Sequence, residues 1–349
     1  MSGEKIAVLG SGANGASVGA DLTRAGLDVT LIEQWPEHVE AMRRNGIEVR
    51  MPHTTETTDV RAFNLCDVAT FRHAFDIVLV MVKAYDTRWA CELIKPVLAD
   101  EGVVVGVQNG MTVDPMIEVL GADRVLGCVI EVASNMFEPG IVNRDTTRER
   151  SWFAVGGVTE AAHQRAEAIA EILRNSGQVE VSDDIRSSKW MKLIANCTEL
   201  VTSAILDMTV MDAAKVPGMY ELMIEAGNEA TRTAIALGHQ LRPIIGMAEA
   251  DITAPERFAA ALFDIVHDVY STPTQLTTVL QDWHKGRRSE VNEINGHVVR
   301  EQARLGGRAP VNEAVVQIAS RIESGDLTAG PDVADLLMSS AARLRARSR

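Results

Sequence analysis

The sequence predicts an α/β chain: a parallel-sheet domain over residues 1–182, followed by an all-helical domain over residues 183–349. Three observations carry this. An apolar run, Lys5-Ile6-Ala7-Val8-Leu9, ends on Gly10-Ser11-Gly12-Ala13-Asn14-Gly15, with glycines at the GxGxxG spacing. Apolar runs then alternate with helical patterns, the arrangement of a doubly wound sheet. From Ser182-Asp183-Asp184 onward almost no strand signal remains.

The glycine stretch reads as a strand, turn and helix that hold a dinucleotide pyrophosphate. Gly10 makes the turn, Gly12 lets the backbone approach the phosphates, and Gly15 lets the helix over 16–24 pack close to the strand. Ser11, Ala13 and Asn14 complete the loop. The next strand, Asp28-Val29-Thr30-Leu31-Ile32, ends on Glu33, about 20 residues beyond Gly10, where the acid that binds the ribose is expected. This is a Rossmann-type half.

A helix follows over 36–45, then a hairpin or loop around Thr54, Thr55, Thr57 and Thr58. The unbroken run Ile77-Val78-Leu79-Val80-Met81-Val82 is the mark of a parallel strand buried on both faces. Lys83 stands at its carboxyl end, where open α/β sheets bind ligands. After a helix over 87–98, Val103-Val104-Val105-Gly106-Val107 is a second buried strand, with Gln108-Asn109-Gly110 at its carboxyl end. Strands are predicted over 125–132 and, as the last one, 152–155, with a turn at Glu138-Pro139-Gly140.

The second half reads as helices over 183–207, 218–238, 247–270, 289–305 and 310–323. Asp183 or Asp184 caps the first, Gly238 and Gly306 stop others, and Pro243 and Pro273 break the pattern. The tail is expected to be helical in its later part and frayed at its arginines, Arg343, Arg345, Arg347 and Arg349.

A net charge of −14 argues against nucleic acid as a partner, since a nucleic-acid binder carries a basic footprint. No signal peptide is visible, and no apolar run approaches the ~18 residues of a membrane span. The four cysteines, Cys66, Cys91, Cys128 and Cys197, lack metal-ligand spacing. The expectation is a reduced, cytoplasmic protein with no bound metal and no membrane partner.

In the first helix of the second half, Lys192 sits among Met191, Leu193, Ile194 and Ala195 and shares a face with Asn196, four residues on. From spacing alone two readings stand. The stem lies over apolar surface, or the ammonium is held there to work. Lys189, one turn earlier, is expected to be exposed. Glu290, placed at the start of a later helix, is a candidate partner for Lys192. His284, beside Trp283 and Lys285, reads either as a catalytic histidine of the lactate-dehydrogenase kind or, having no acid at a telling sequence distance, as an ordinary histidine; His239 at a helix end reads as an ordinary one. Arg287-Arg288 steer an anion or are simply solvated.

At this point the chain resembles the ketopantoate reductase (2-dehydropantoate 2-reductase) family over about residues 4 to 325. The matching stretches, in order, are Gly10 to Gly15; Val82-Lys83-Ala84 with Asp86-Thr87; Gln108-Asn109-Gly110; Trp190-Met191-Lys192-Leu193 with Asn196; and Leu280-Gln281-Asp282 leading to Glu290, Asn295-Gly296 and Ala309-Pro310-Val311-Asn312. The resemblance implies an NAD(P)-dependent oxidoreductase that reduces a 2-oxo acid to the 2-hydroxy acid, ketopantoate to pantoate, in pantothenate biosynthesis. It implies Lys192 as general acid and Glu290 as the residue that orients polar groups near the reaction centre. It implies Asn109 against both cofactor and substrate, Lys83 and Ala133 against cofactor, and Asn196 and Thr278 against substrate. The helical half is implied to pair as a homodimer.

Three positions depart from the family's habit. Leu200 and Val210 stand where asparagines are usual. Removing those amides makes the pocket more apolar, so a larger or more apolar 2-oxo acid, or an opine-type condensation, is the enzyme alternative. A dinucleotide-binding sensor is the non-enzyme alternative. The family usually takes NADPH and meets its 2′-phosphate with an arginine near Glu33; here the segment is Glu33-Gln34-Trp35-Pro36, which favours NADH.

Overall fold

A computed structural model describes residues 3–72, 74–252, 254–269 and 275–347. Pro273 and Arg349 lie outside these. The chain divides into two compact units, Met1–Lys189 and Trp190–Arg349.

The first unit holds twelve strands among the described residues: β1 Lys5–Leu9, β2 Asp28–Glu33, β3 Ile47–Arg50, β4 Thr55–Thr58, β5 Arg61–Asn64, β6 Phe75–Val80, β7 Leu98–Val107, β8 Val125–Glu131, β9 Ser134–Glu138, β10 Ile141–Arg144, β11 Trp152–Gly157 and β12 Gln178–Val181. The main sheet runs β12-β11-β8-β7-β6-β1-β2-β5, parallel except where β11 meets β8. The order reverses at β1, which has β2 on one side and β6 on the other. Crevices at such reversals, at the carboxyl ends of the strands, are where doubly wound sheets take ligands.

Side-chain alternation along β1 feeds two cores. Ile6 and Val8 join Leu31, Ile77 and Val105 on one face, and Ala7 and Leu9 join Ile32, Val78 and Val104 on the other. Each fully buried Ile, Leu or Val contributes roughly 1.5–3 kcal/mol. This two-sided burial is why the strands read as unbroken apolar runs.

The helices of this unit are α1 Ala13–Arg24, α2 Pro36–Asn45, α3 Thr87–Ile94, α4 Val113–Leu120, α5 Glu160–His163 and α6 Ala166–Leu173. The threonine-rich stretch is a hairpin: β4 pairs antiparallel with β3 in a second sheet of order β4-β3-β10-β9. That sheet is anchored through Arg144, whose Nη1 meets Asp21 Oδ2 of α1 at 2.6 Å with both side chains almost wholly buried. Ser151 Oγ and the Ser176 carbonyl take the other guanidinium nitrogen. The last strand is β12, not β11. Its Gln178-Val179-Glu180-Val181 is partly exposed at the sheet edge, so it lacks the apolar run that marks the central strands.

α7, Ile185–Ile205, begins in the first unit and continues in the second. Asp184 starts it by accepting the Ser187 N–H at 3.0 Å. The second unit has helices and no strand among its described residues: α8 Val210–Ala213, α9 Met219–Ala236, α10 Pro255–Val269, α11 Thr278–His284, α12 Asn295–Arg304, α13 Pro310–Glu323 and α14 Ala334–Ala346. The tail is firmer than expected, because Leu337, Ala341 and Leu344 bury one face of α14. No described helix is long and apolar enough to cross a membrane.

Candidate active site

The first unit gathers its candidates at the carboxyl ends of five neighbouring strands. The glycine loop follows β1, Glu33 ends β2, Lys83 follows β6, Asn109 follows β7 and Ala133 follows β8. Gly10 has φ +96°, a conformation that side chains rarely adopt, and a Cβ there would lie 2.6 Å from the Val82 nitrogen. A Cβ on Gly15 would fall 2.1 Å from the Gly10 carbonyl oxygen, so α1 rises directly out of the turn. At Gly12 an added Cβ meets nothing within 4 Å. α1 has no side-chain cap at Gly12 and no acid in its first turn. An open backbone at an uncapped helix N-terminus fits a pyrophosphate.

Asn14 Oδ1 accepts the Ser134 hydroxyl at 2.5 Å, which ties the start of α1 to the segment carrying Ala133. The Ala133 N–H in turn donates to Thr146 Oγ1 at 3.1 Å. Glu33 is 6 % exposed. Its Oε1 accepts the N–H groups of Gln34 and Trp35 at 2.9 and 3.1 Å, shaping the entry into α2. Arg43, a nearby cation on α2, is engaged elsewhere, with Glu40, Asp67 and the Ala62 carbonyl.

The residues just before Lys83 and Asn109 are tied together. Gln108 Nε2 donates to the Val82 carbonyl at 2.7 Å and to Thr87 Oγ1 at 3.0 Å, bridging the ends of β6 and β7. Lys189 contradicts its predicted exposure. It is buried, and its ammonium donates to the carbonyls of Gln108 at 2.8 Å and Cys128 at 3.3 Å. The Gln108 carbonyl lies just past the end of β7 and the Cys128 carbonyl within β8, and one cation on α7 bridges the two. Burial pushes the Cys128 thiol up to about 12, with the nearby Lys189 charge opposing the rise.

In the second unit Lys192 is 8 % exposed and Asn196 is 1 % exposed, one turn apart on α7. Asn295 Nδ2 donates to the Cys197 carbonyl at 3.1 Å, holding the start of α12 beside Asn196. Glu290 is buried, but it lies in the turns that precede α12 and not at a helix start. Its carbonyl accepts from Glu293 and Ile294, so the chain coils there before α12 begins. Thr278 is the first residue of α11, a helix that the sequence pattern did not disclose. Its neighbour Thr277 caps it and donates to the Leu200 carbonyl at 3.0 Å. Leu200 itself is half-buried, and Val210 is buried at the start of α8.

Asn312 and Pro310 are scaffold. Glu229 accepts the Val311 and Asn312 N–H groups at 2.9 to 3.1 Å, capping α13, and Asn312 Oδ1 accepts from Asn295 at 2.8 Å. His284 does have an acid: its Nε2 lies 2.7 Å from Asp207 Oδ1, a half-exposed pair that sequence distance concealed.

Comparison with known proteins gives one consistent result. The family Ketopantoate reductase PanE/ApbA matches residues 6–156, and the family of its C-terminal domain matches residues 184–323. A 2-dehydropantoate 2-reductase of Archaeoglobus fulgidus is 25% identical over 92% of this chain and 99% of its own. One from Mesorhizobium japonicum is 26% identical over 91% and 97%. A PanE/ApbA family ketopantoate reductase of Ralstonia eutropha superposes with a TM-score of 0.77 at 29% identity, covering 92% of this chain and 99% of that one. A D-mandelate dehydrogenase solved with NADH and anilino(oxo)acetate shares the fold, with a TM-score of 0.82 at 20% identity over 92% and 98% of the two chains.

Proposed function

The chain belongs to the ketopantoate reductase family, and we propose from that premise that it reduces ketopantoate, a 2-oxo acid, to the 2-hydroxy acid. It is an NAD(P)-dependent oxidoreductase. The observation that supports the residue assignments best is the convergence of the glycine loop, Glu33, Lys83, Asn109 and Ala133 on five adjacent strand ends.

The nicotinamide cofactor, when bound, supplies a hydride. The N–H groups at the start of α1 hold its phosphates, Glu33 its ribose hydroxyls, and Lys83 and Ala133 contact it. Asn109 touches both cofactor and substrate, and Asn196 and Thr278 hold the keto acid. Lys192 keeps a proton at Nζ beside the ketone oxygen. As that oxygen gains negative charge, the ammonium stabilises it and then protonates it. Glu290 orients polar groups around this centre. The reading includes NADH as the preferred cofactor, a cytoplasmic location and a homodimer; light scattering in solution checks the last.

The deciding experiment is a screen of NADH and NADPH oxidation across 2-oxo acids. Ketopantoate turnover supports the reading; cofactor binding without turnover of any 2-oxo acid favours a sensor. Leu200, half-buried one turn beyond Asn196, favours a second reading in which larger, more apolar acids are also taken. Leu200→Asn is then expected to raise kcat/KM for ketopantoate relative to apolar acids by about 1 kcal/mol, the scale of one net hydrogen bond. An unmoved ratio disposes of that reading.

A further inference from the structure

We propose that His38 is the positioning residue of the glycine loop: it holds the Ser11 carbonyl so that the Gly12 N–H faces the anion. The inference rests on the reading of that loop as a dinucleotide site.

His38 is fully buried on the first turn of α2. Its two ring nitrogens meet two main-chain groups of opposite kind. Nδ1 lies 2.9 Å from the Gly140 nitrogen, at the turn between β9 and β10. Nε2 lies 2.9 Å from the Ser11 carbonyl oxygen. A backbone N–H can only donate, so Nδ1 must be the bare, accepting nitrogen. The ring hydrogen then sits on Nε2 and donates to Ser11. The neighbours therefore select one neutral tautomer. Burial lowers the pKa of the ring, outweighing the Ser11 hydrogen bond, which keeps it neutral. A proton on Nδ1 would set two donors against each other.

The consequence for the loop follows from peptide geometry. The Ser11–Gly12 peptide is planar and trans, so its C=O and N–H point in opposite directions. Pulling the carbonyl toward α2 turns the Gly12 N–H away from α2. Gly12 is the N-cap of α1, and its N–H is one of the donors at that helix end. The Ser11 hydroxyl offers no alternative handle, because Oγ is buried without a hydrogen-bond partner among the described residues. Trp35, with its ring centroid 5.8 Å from the imidazole, packs beside it.

Two substitutions separate the two hydrogen bonds. The amide nitrogen of glutamine reaches as far as Nε2, so His38→Gln retains the donor to Ser11. Asparagine reaches only as far as Nδ1, so His38→Asn retains the acceptor for Gly140 and loses Ser11. The test is the NADH dissociation constant of the full chain by fluorescence titration, with kcat at saturating NADH and Tm alongside. His38→Asn is expected to weaken NADH about tenfold, the size of one net hydrogen bond, with kcat nearly unchanged. His38→Gln is expected to stay close to wild type. Equal weakening by both, or weakening by glutamine alone, overturns the proposal.

A wild type that binds neither NADH nor NADPH would instead fail the dinucleotide reading and take this proposal with it. The tautomer gives a check that needs no variant. The ¹⁵N spectrum of wild-type His38 should show a protonated Nε2 and a bare Nδ1, and the reverse pattern or a charged ring overturns the assignment.

Discussion

Lys192 and Lys189 stand three residues apart on α7, and both are nearly buried. Their chemistry differs because of what the rest of the chain brings to them. Lys189 meets two main-chain carbonyls, that of Gln108 just past β7 and that of Cys128 within β8. Lys192 carries the family motif and is assigned the proton. Lys192→Ala is expected to lower kcat by the ~10² to 10⁴ of lost acid catalysis, with NADH affinity nearly intact; a variant close to wild-type kcat would make the residue structural. Lys189→Met leaves the two carbonyls short of a donor, and about 1–3 kcal/mol of stability should be lost. Because the Gln108 carbonyl adjoins Asn109, kcat should fall as well, although Lys192 is untouched. Unchanged Tm and kcat together would show that the turn holds itself. The sequence separated the two lysines but placed Lys189 in solvent, which the structure corrects. The spacing marks a shared helix face, but the carbonyls that claim Lys189 lie 81 and 61 residues upstream. Motif order, by contrast, singled out the glycine loop and Asn109, which the structure places just after β1 and β7, and Lys192, which lies within α7.

Where β2 passes into α2, one carboxylate has one observed task and one proposed. Glu33 Oε1 receives the Gln34 and Trp35 N–H groups and so shapes the entry to the helix. The same residue ends the strand at the place where a ribose is expected. A 2′-phosphate there would meet a like charge, and two unit charges 4 Å apart near a protein surface repel by about 4 kcal/mol. Arg43 does not offset this, since Glu40 and Asp67 already hold its guanidinium. Wild type is therefore expected to show the higher kcat/KM with NADH. Glu33→Arg should move the ratio toward NADPH and also lower Tm, because the turn loses its acceptor. A tenfold preference of wild type for NADPH refutes the assignment and means that Glu33 serves the turn alone. Legibility at this scale followed burial. β1, β2, β6, β7 and β8 are buried on both faces and stand out as apolar runs, whereas β12 at the sheet edge and the seven-residue α11 carry too few apolar positions to register.

Across the whole molecule the charge is −14, and the proposed cofactor and keto acid are both anions. Two fields then compete during association. The far field of the protein repels an anion, and the lysines proposed at the site attract it at short range. Ionic strength separates them. At 0.01 M the Debye length is about 30 Å, so the full net charge is felt. At 0.15 M it is about 8 Å, and only the nearest groups count. Raising salt over that range should screen the repulsion first, and the association rate of NADH should rise by roughly two- to fivefold, with dissociation changing less. The keto acid, with about one negative charge against about two on NADH, should respond more weakly. Stopped-flow fluorescence on the full chain reads both rate constants for NADH. A rate that falls as salt is added would reverse the ranking of the two fields: the local cations would then steer the cofactor in from beyond the reach of the net charge.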